Sequence, residues 1–174
     1  MIKRSAAVLA VCACVFAFGA NASDLENYES KEHAFSIHYP AKWEKKERVS
    51  GTAVMMIAPK ADGKEAFRAN VNVVEQDIPS DTDLKKFSTA SLTVLDKLLK
   101  NFKEVERKEV IIGTTPAVRV VYTYSYDDTE LKSLLVLAVQ GKNGYAITCS
   151  ADSASFDSLK QPFDDVVNSF TPTK

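Results

Sequence analysis

The sequence predicts an α/β fold of the α+β kind: one antiparallel sheet covered by helices on both faces, an α/β/α sandwich. Three observations predict it. Residues 113–152 carry three consecutive strand patterns separated by short polar turns. The middle pattern is apolar on both faces, with Leu134, Val136 and Ala138 on one and Leu135, Leu137 and Val139 on the other. A strand with one wet face alternates, so this one is central and covered twice. Two amphipathic helical stretches, one before the meander and one after it, supply the two layers such a sheet needs.

Met1 to Ala22 stand outside that fold. Lys3 and Arg4 open the chain, an apolar run extends from Ala6 to Phe18, and Ala20-Asn21-Ala22 is an A-x-A cleavage pattern. Together they read as a secretory signal peptide cut between Ala22 and Ser23. The run is short for a membrane span, so after cleavage the product is not an integral membrane protein. The alternatives are an uncleaved anchor or a lipoprotein anchored through Cys12 or Cys14. Leu9-Ala10-Val11-Cys12 resembles a lipobox, but Val11 is bulky beside the cysteine, and either anchor leaves a very short apolar region. Residues 23–174 then form a single domain, long enough for one sizeable core.

Charge and cysteine usage narrow the function classes. The chain has 22 Lys and Arg against 23 Asp and Glu. Loss of Lys3 and Arg4 leaves 20 against 23, a net charge near −3. No basic excess supports nucleic-acid binding. Cys12 and Cys14 leave with the leader, so Cys149 has no intrachain disulfide partner and stability rests on the core. Flanked by Ile147 and Ala151, Cys149 reads as a small buried apolar residue rather than a reactive thiol.

In chain order, residues 23–31 are polar and read as a loose start or a short helix. Phe35-Ser36-Ile37-His38-Tyr39 alternates, with Phe35, Ile37 and Tyr39 inward. Pro40 ends that strand. Residues 52–58 and 68–75 read as further strands, with Asp62-Gly63 as a turn signal between them. Ser80, Asp81 or Thr82 caps a helix over residues 82–100, with Leu84, Phe87, Leu95, Leu98 and Phe102 at helical spacing. A strand over 103–112 leads to Gly113.

The first meander strand, 116–126, places Val118, Val120, Tyr122, Tyr124 and Tyr126 on one face. Residues 127–130 turn the chain into the strand 131–140. Gly141-Lys142-Asn143-Gly144 closes the next hairpin, with Asn-Gly as the turn signal. Cys149 then faces Val136, or Ala138 if the turn is tight. Either way it shares the Leu134 face. Phe156, Leu159, Phe163, Val166, Val167 and Phe170 make the stripe of a last helix, with Pro162 near its opening. Residues 171–174 read as a frayed tail.

The order of these elements, with Tyr39-Pro40-Ala41-Lys42-Trp43, Gly113-Thr114-Thr115-Pro116-Ala117, the Tyr145 strand and a terminal Asn168-Ser169-Phe170, resembles the PsbP-like superfamily. Within it, the chain is similar to the small secreted bacterial proteins of DcrB type. The resemblance implies an α/β/α sandwich and a non-enzymatic protein without a cofactor. Relatives of that superfamily include an extrinsic photosystem II subunit and a nuclear import factor, and its bacterial members are mostly envelope proteins. It carries no catalytic residues to transfer, and a shared fold does not give a shared function.

Few residues offer chemistry. His33 and His38 sit at odd spacing, so on one strand they would point to opposite faces, which does not make a metal site. A Cys149–His38 dyad requires an outward histidine to reach an inward cysteine. Asp127-Asp128-Thr129-Glu130 lacks the spaced ligands of a calcium loop. Trp43, among Lys42, Lys45, Lys46 and Arg48, forms a candidate partner-binding loop, against the plainer reading in which the indole packs under the sheet edge. The tyrosine row 122, 124 and 126 packs against a helix, with Tyr126 at the rim. The expectation is a periplasmic or secreted, non-enzymatic binding or accessory protein of the cell envelope that meets an envelope protein or membrane-bound partner. A small-ligand or metal carrier is the alternative, and a thiol-dependent enzyme the third.

Overall fold

The computed structural model describes residues 24–60 and 67–173. The leader, its cleavage point at Ala22–Ser23, Cys12, Cys14 and the Asp62-Gly63 turn lie outside the described residues. Strands β1 (Leu25–Ser30), β2 (Phe35–Pro40), β3 (Glu44–Glu47), β4 (Val54–Ile57) and β5 (Asn70–Asp77) precede helix α1 (Leu84–Leu98). Strands β6 (Lys100–Ile112), β7 (Thr115–Tyr126), β8 (Thr129–Gln140) and β9 (Asn143–Asp152) follow. A 3-10 turn at Phe156–Leu159, helix α2 (Lys160–Ser169) and strand β10 (Thr171–Pro172) complete the described chain.

The main sheet has seven strands in the order β3-β4-β5-β9-β8-β7-β6, and a second sheet has the order β1-β2-β10. All strand pairs are antiparallel. The double apolar face of β8 is sealed as its pattern requires: Leu134, Leu135, Val136, Leu137 and Ala138 are each at most 2% exposed.

The two faces are covered by different means and to different extents. Leu134, Val136, Ile147, Cys149, Val71 and Val73 point to one face, where α2 and the small sheet cover them. Helix α2 brings Phe163, Val166, Val167 and Phe170, all buried, and β2 brings Phe35 and Ile37. Phe35 is the hub, with ring centroids 5.9 Å from Tyr28, 6.2 Å from Tyr145 and 5.6 Å from Phe170. The Tyr145 hydroxyl donates to the Ala34 carbonyl at 2.9 Å, tying the small sheet to β9. On the opposite face α1 alone packs over Val118, Val120, Tyr122, Leu135 and Leu137.

Three strands depart from expectation. Residues 25–30 pair along all of β2 as β1, although only Tyr28 and Ser30 turn inward. So few buried side chains leave little alternation to read. Residues 44–47, expected as loop, form β3, a fully exposed edge strand of Glu-Lys-Lys-Glu. Thr171–Pro172, expected frayed, pairs with β2 as β10. Both outer strands of the main sheet, β3 and β6, are rich in charged side chains, which oppose edge pairing with another chain.

The β8–β9 hairpin also differs. Gln140 pairs with Asn143, leaving Gly141-Lys142 as the loop, with Gly141 at φ 60°. Glycine at the first loop position of a two-residue hairpin meets that need without a Cβ clash. Cys149 therefore faces Leu134, not Val136 or Ala138. The shift is by an even number of residues, so every face assignment survives.

Candidate binding groove

Helix α1 starts where Asp83 accepts the Lys86 amide at 2.7 Å, a side-chain N-cap. Its buried Phe87, Ser88 and Leu92 face the sheet, with Leu84, Leu95 and Leu99 partly buried beside them. The entry to the helix is fixed by the Ile78 amide, which donates to the Lys142 carbonyl in the β8–β9 turn at 2.8 Å. Next to that turn, Gly144 lets Phe87 approach the sheet. A Cβ there would lie 2.7 Å from Phe87 Cε2 and 3.1 Å from Ile78 Cγ2. The glycine of the Asn143-Gly144 pair therefore serves close packing, and the turn itself is made by Gly141.

One helix does not span seven strands. Helix α1 packs over β6, β7 and β8, and an α-helix is about 10–12 Å across. Between α1 and β5 a groove of about 470 Å³ remains. Its floor is Leu135 and Leu137 of β8 with Ala146 and Thr148 of β9. The wall is Phe87, Ala90, Ser91, Val94 and Leu95 of α1, and Asn72, Val74 and Gln76 of β5, paired beside β9, continue the floor.

None of these lining residues is ionisable, in a chain where 26% of residues are charged. The polar groups are amides and hydroxyls. Asn72 and Thr148 are direct cross-strand partners. Ser91 Oγ donates to the Phe87 carbonyl at 2.9 Å, which leaves its oxygen free to accept. Val94 stands 52% exposed on the wall, an uncovered apolar side chain in mid-helix.

Comparison with family models adds a decisive observation: the model described as PsbP matches residues 23–172. The chain belongs to the PsbP family. A search of curated proteins gives no match. Solved structures of similar shape include cyanobacterial PsbP (CyanoP) from Synechocystis sp. PCC 6803, at 18% identity over 88% of this chain and 95% of that one, with a TM-score of 0.66. LpqN, involved in cell envelope biogenesis of Mycobacterium tuberculosis, shares 13% identity over 87% of this chain and 92% of its own, with a TM-score of 0.67. The Saccharomyces cerevisiae Ran-binding protein Mog1p shares 14% over 87% of this chain and 97% of its own, with a TM-score of 0.59. At these identities the likeness is one of fold.

In this PsbP-family chain the residues singled out by sequence are scattered. Trp43 packs its ring edge-on against Phe163, with centroids 6.2 Å apart and planes at 87°. Lys42 is exposed. Lys45 pairs with Glu47 at 3.1 Å and lies over the Tyr28 ring at 4.9 Å, while Lys46 pairs with Glu44 at 3.2 Å. The basic cluster is thus interleaved with carboxylates on β3. His38 is exposed, and the Nδ1 of His33 lies 3.0 Å from Glu75 Oε2. Among the described residues no three or more His, Cys, Asp or Glu side chains gather as metal ligands, and no helix there is long and apolar enough to cross a membrane.

Cys149 is fully buried, and burial pushes its thiol far up, with the Arg119 charge pulling weakly the other way. Arg119 Nη1 approaches Asp164 Oδ1 at 2.7 Å off the hydrogen-bond axis, leaving Arg119 Nε unpartnered. Burial works against the ionised Asp164, but Lys160 and Arg119 outweigh it and hold its carboxyl below the usual range. Tyr122 and Tyr124 stack at 5.7 Å beneath Phe102, and Tyr126 is 58% exposed at the rim. The groove was not singled out by sequence. The signal available was the polar row Asn70, Asn72 and Gln76 on one face of β5, which marks the α1 side of that strand as incompletely covered.

Proposed function

We propose that this chain is a non-enzymatic binding or accessory protein of the cell envelope, exported by the leader that ends at Ala22 and folded as one domain from Ser23, with the α1 groove as its binding site. The observation that carries the reading is the asymmetry between the sheet faces. One is closed by α2 and a second sheet, and the other keeps an apolar trough of about 470 Å³ that reaches the surface. That volume is within the range of about 300–1,000 Å³ typical of ligand sites, as is an apolar lining with a few polar groups. A periplasmic address agrees with the leader and with the envelope role of LpqN.

The test is a position-resolved one. Amide NMR spectra of the secreted protein are recorded with and without envelope extract. The reading expects shifts confined to Val74, Ala146, Thr148 and the α1 wall. Shifts confined to the α2 face or to β3, or no shifts at all, overturn it.

A further inference from the structure

The two sheets have four outer strands, β3 and β6 in the main sheet and β1 and β10 in the small one. An outer strand invites another chain unless charge, proline, brevity or a bulge blunts it. Strand β3 is four charged residues, and β6 is charged and breaks register twice. Strand β10 is two residues long and includes Pro172. Strand β1 has six residues in unbroken register with β2 and contains neither proline nor lysine. Its Glu26 carboxylate already accepts from the Tyr39 hydroxyl at 2.7 Å. The open edge of the small sheet is therefore β1.

The hydrogen bonds of β2 show which backbone groups lie on that edge. The Ala41 amide donates to the Asp24 carbonyl at 2.8 Å, so these two form a hydrogen-bonded pair. Such pairs alternate with non-bonded ones along an antiparallel ladder. Glu26, Tyr28 and Ser30 thus bond Tyr39, Ile37 and Phe35, while Leu25, Asn27 and Glu29 turn N–H and C=O away from β2. The far side of β2 agrees, since Ala34 accepts there from the Thr173 amide at 2.8 Å, beside β10. Among the described residues no other backbone meets the outward groups of Leu25, Asn27 and Glu29.

A crevice of about 330 Å³ runs along this edge, with residues 27–33 on one side and Lys45, Glu47 and Arg48 on the other. Most of its charges are paired within the protein. Arg48 bridges to Glu32, Lys45 to Glu47 at 3.1 Å, and His33 to Glu75 at 3.0 Å. Glu29, exposed, has no ion-pair partner among the described residues.

A row of N–H and C=O groups at every second residue is matched by another extended backbone, not by a hydrocarbon chain or a lone ion. Side chains decide whose backbone it is. Two β1 strands paired antiparallel about Asn27 or Tyr28 set Glu29 opposite Leu25 or Asn27, and its carboxylate gains no cation. A foreign segment with a basic residue opposite Glu29, a hydroxyl or amide opposite Asn27 and an apolar residue opposite Leu25, itself 41% exposed, suits all three positions.

We infer that the free edge of β1 is a second binding surface, separate from the α1 groove, and takes an added antiparallel strand from another protein, with Lys or Arg opposite Glu29. The probe is the peptide acetyl-Thr-Lys-Val-Thr-Thr-Val-amide, titrated into the secreted full chain and followed by amide NMR and hydrogen exchange. Its Lys falls opposite Glu29 and its fourth residue, Thr, opposite Asn27. The amides of Asn27 and Glu29 shift and become protected, while that of Tyr28, already bonded to Ile37, keeps its protection. N-methylation of the fourth residue removes a bond to Asn27 and weakens binding about tenfold or more. N-methylation of the fifth, also Thr but facing away from β1, changes affinity less than about twofold. Glu29→Lys weakens binding about fivefold, and a peptide with Glu in place of Lys restores it.

No shift at Asn27 and Glu29, equal loss from the two methylated peptides, or unchanged affinity in Glu29→Lys each overturns the inference. So does a dimeric mass of the protein alone with Asn27 already protected, which would assign the edge to a second copy. Shifts at Val74 and Thr148 in place of β1 would assign the peptide to the α1 groove, and their absence leaves the reading of that groove untouched.

Discussion

Gly144→Ala tests how α1 is held on the sheet. The added methyl would sit 2.7 and 2.8 Å from two ring carbons of Phe87 and 3.1 Å from Ile78 Cγ2, against about 3.5–4.0 Å for an ordinary carbon contact. Phe87 is 4% exposed and Ile78 7%, so both are packed among neighbours, and relief of the clash requires the Phe87 ring to move toward the groove it lines. Overpacking of this kind costs about 1–3 kcal/mol. Gly144 does not have a positive φ, so alanine adds no backbone strain and restricts the unfolded chain. That restriction returns about 0.4–1 kcal/mol. The expected net loss is about 1–2 kcal/mol, read as a lower urea midpoint at unchanged slope. Phe87→Leu removes the ring carbons and costs about 1 kcal/mol by itself. The double variant should then lose less than the sum of the two, a coupling of roughly 1 kcal/mol. If Gly144→Ala stabilises the protein, or if the two changes add, the glycine is not there for close approach.

Other expectations follow from the same packing. Phe35→Ala opens a void among three rings and should cost about 3–5 kcal/mol in urea unfolding. Cys149 in the folded protein should react with a thiol reagent at pH 8 on the order of a thousandfold more slowly than in the unfolded chain, since labelling waits for opening; fast native labelling would show an accessible thiol. The depressed carboxyl of Asp164 contributes stability above the ordinary carboxylate pKa of about 4, and that contribution is lost as pH falls through the native value. Asp164→Asn should therefore lower the urea midpoint at pH 7 by the equivalent of about 1–3 kcal/mol and shrink the difference between pH 7 and pH 3. Ala146→Val adds two methyls over Leu137 in the groove floor and should stabilise by about 1 kcal/mol while weakening groove binding; a destabilised variant would mean that the floor has no free space.

Face assignments were legible because strand side chains have period two. The split between Leu134, Val136 and Ala138 on one side and Leu135 and Leu137 on the other is what divides the two cores. Helix α1 was placed to within about two residues by its apolar stripe, but its cap is Asp83 and not Ser80, Asp81 or Thr82, because several neighbouring side chains could accept from the first turn. The misses share a cause. Strands β1, β3 and β10 bury almost no side chains, so what holds them is backbone pairing with β2 or β4, which leaves no hydrophobic pattern. Gly144 was misread because Asn-Gly has two uses, a left-handed turn and the absence of a Cβ, and only the position of Phe87 separates them. The groove was beyond reach because its lining comes from residues 72–76, 87–95 and 135–148, brought together by the β5–β9 pairing.

That pairing also explains why one face stays open. The early strands β1 and β2 and the late elements α2 and β10 meet on the same face, so both ends of the described chain contribute to one layer. Only α1 is left for the other, and it lies on the β6–β8 side because Leu99 passes directly into β6 at Lys100. Strand β9 is where the coverage ends. Its inner face carries Tyr145, Ile147 and Cys149, fully buried, while its α1 face carries Ala146 and Thr148, small and half-buried. A central strand with bulky residues at both positions would have filled the trough and gained stability from the burial. Small side chains at 146 and 148 forgo that gain and hold the floor low beside an exposed Val94. The resulting loss of packing at the middle of the sheet is the kind expected of a site kept open for an occupant.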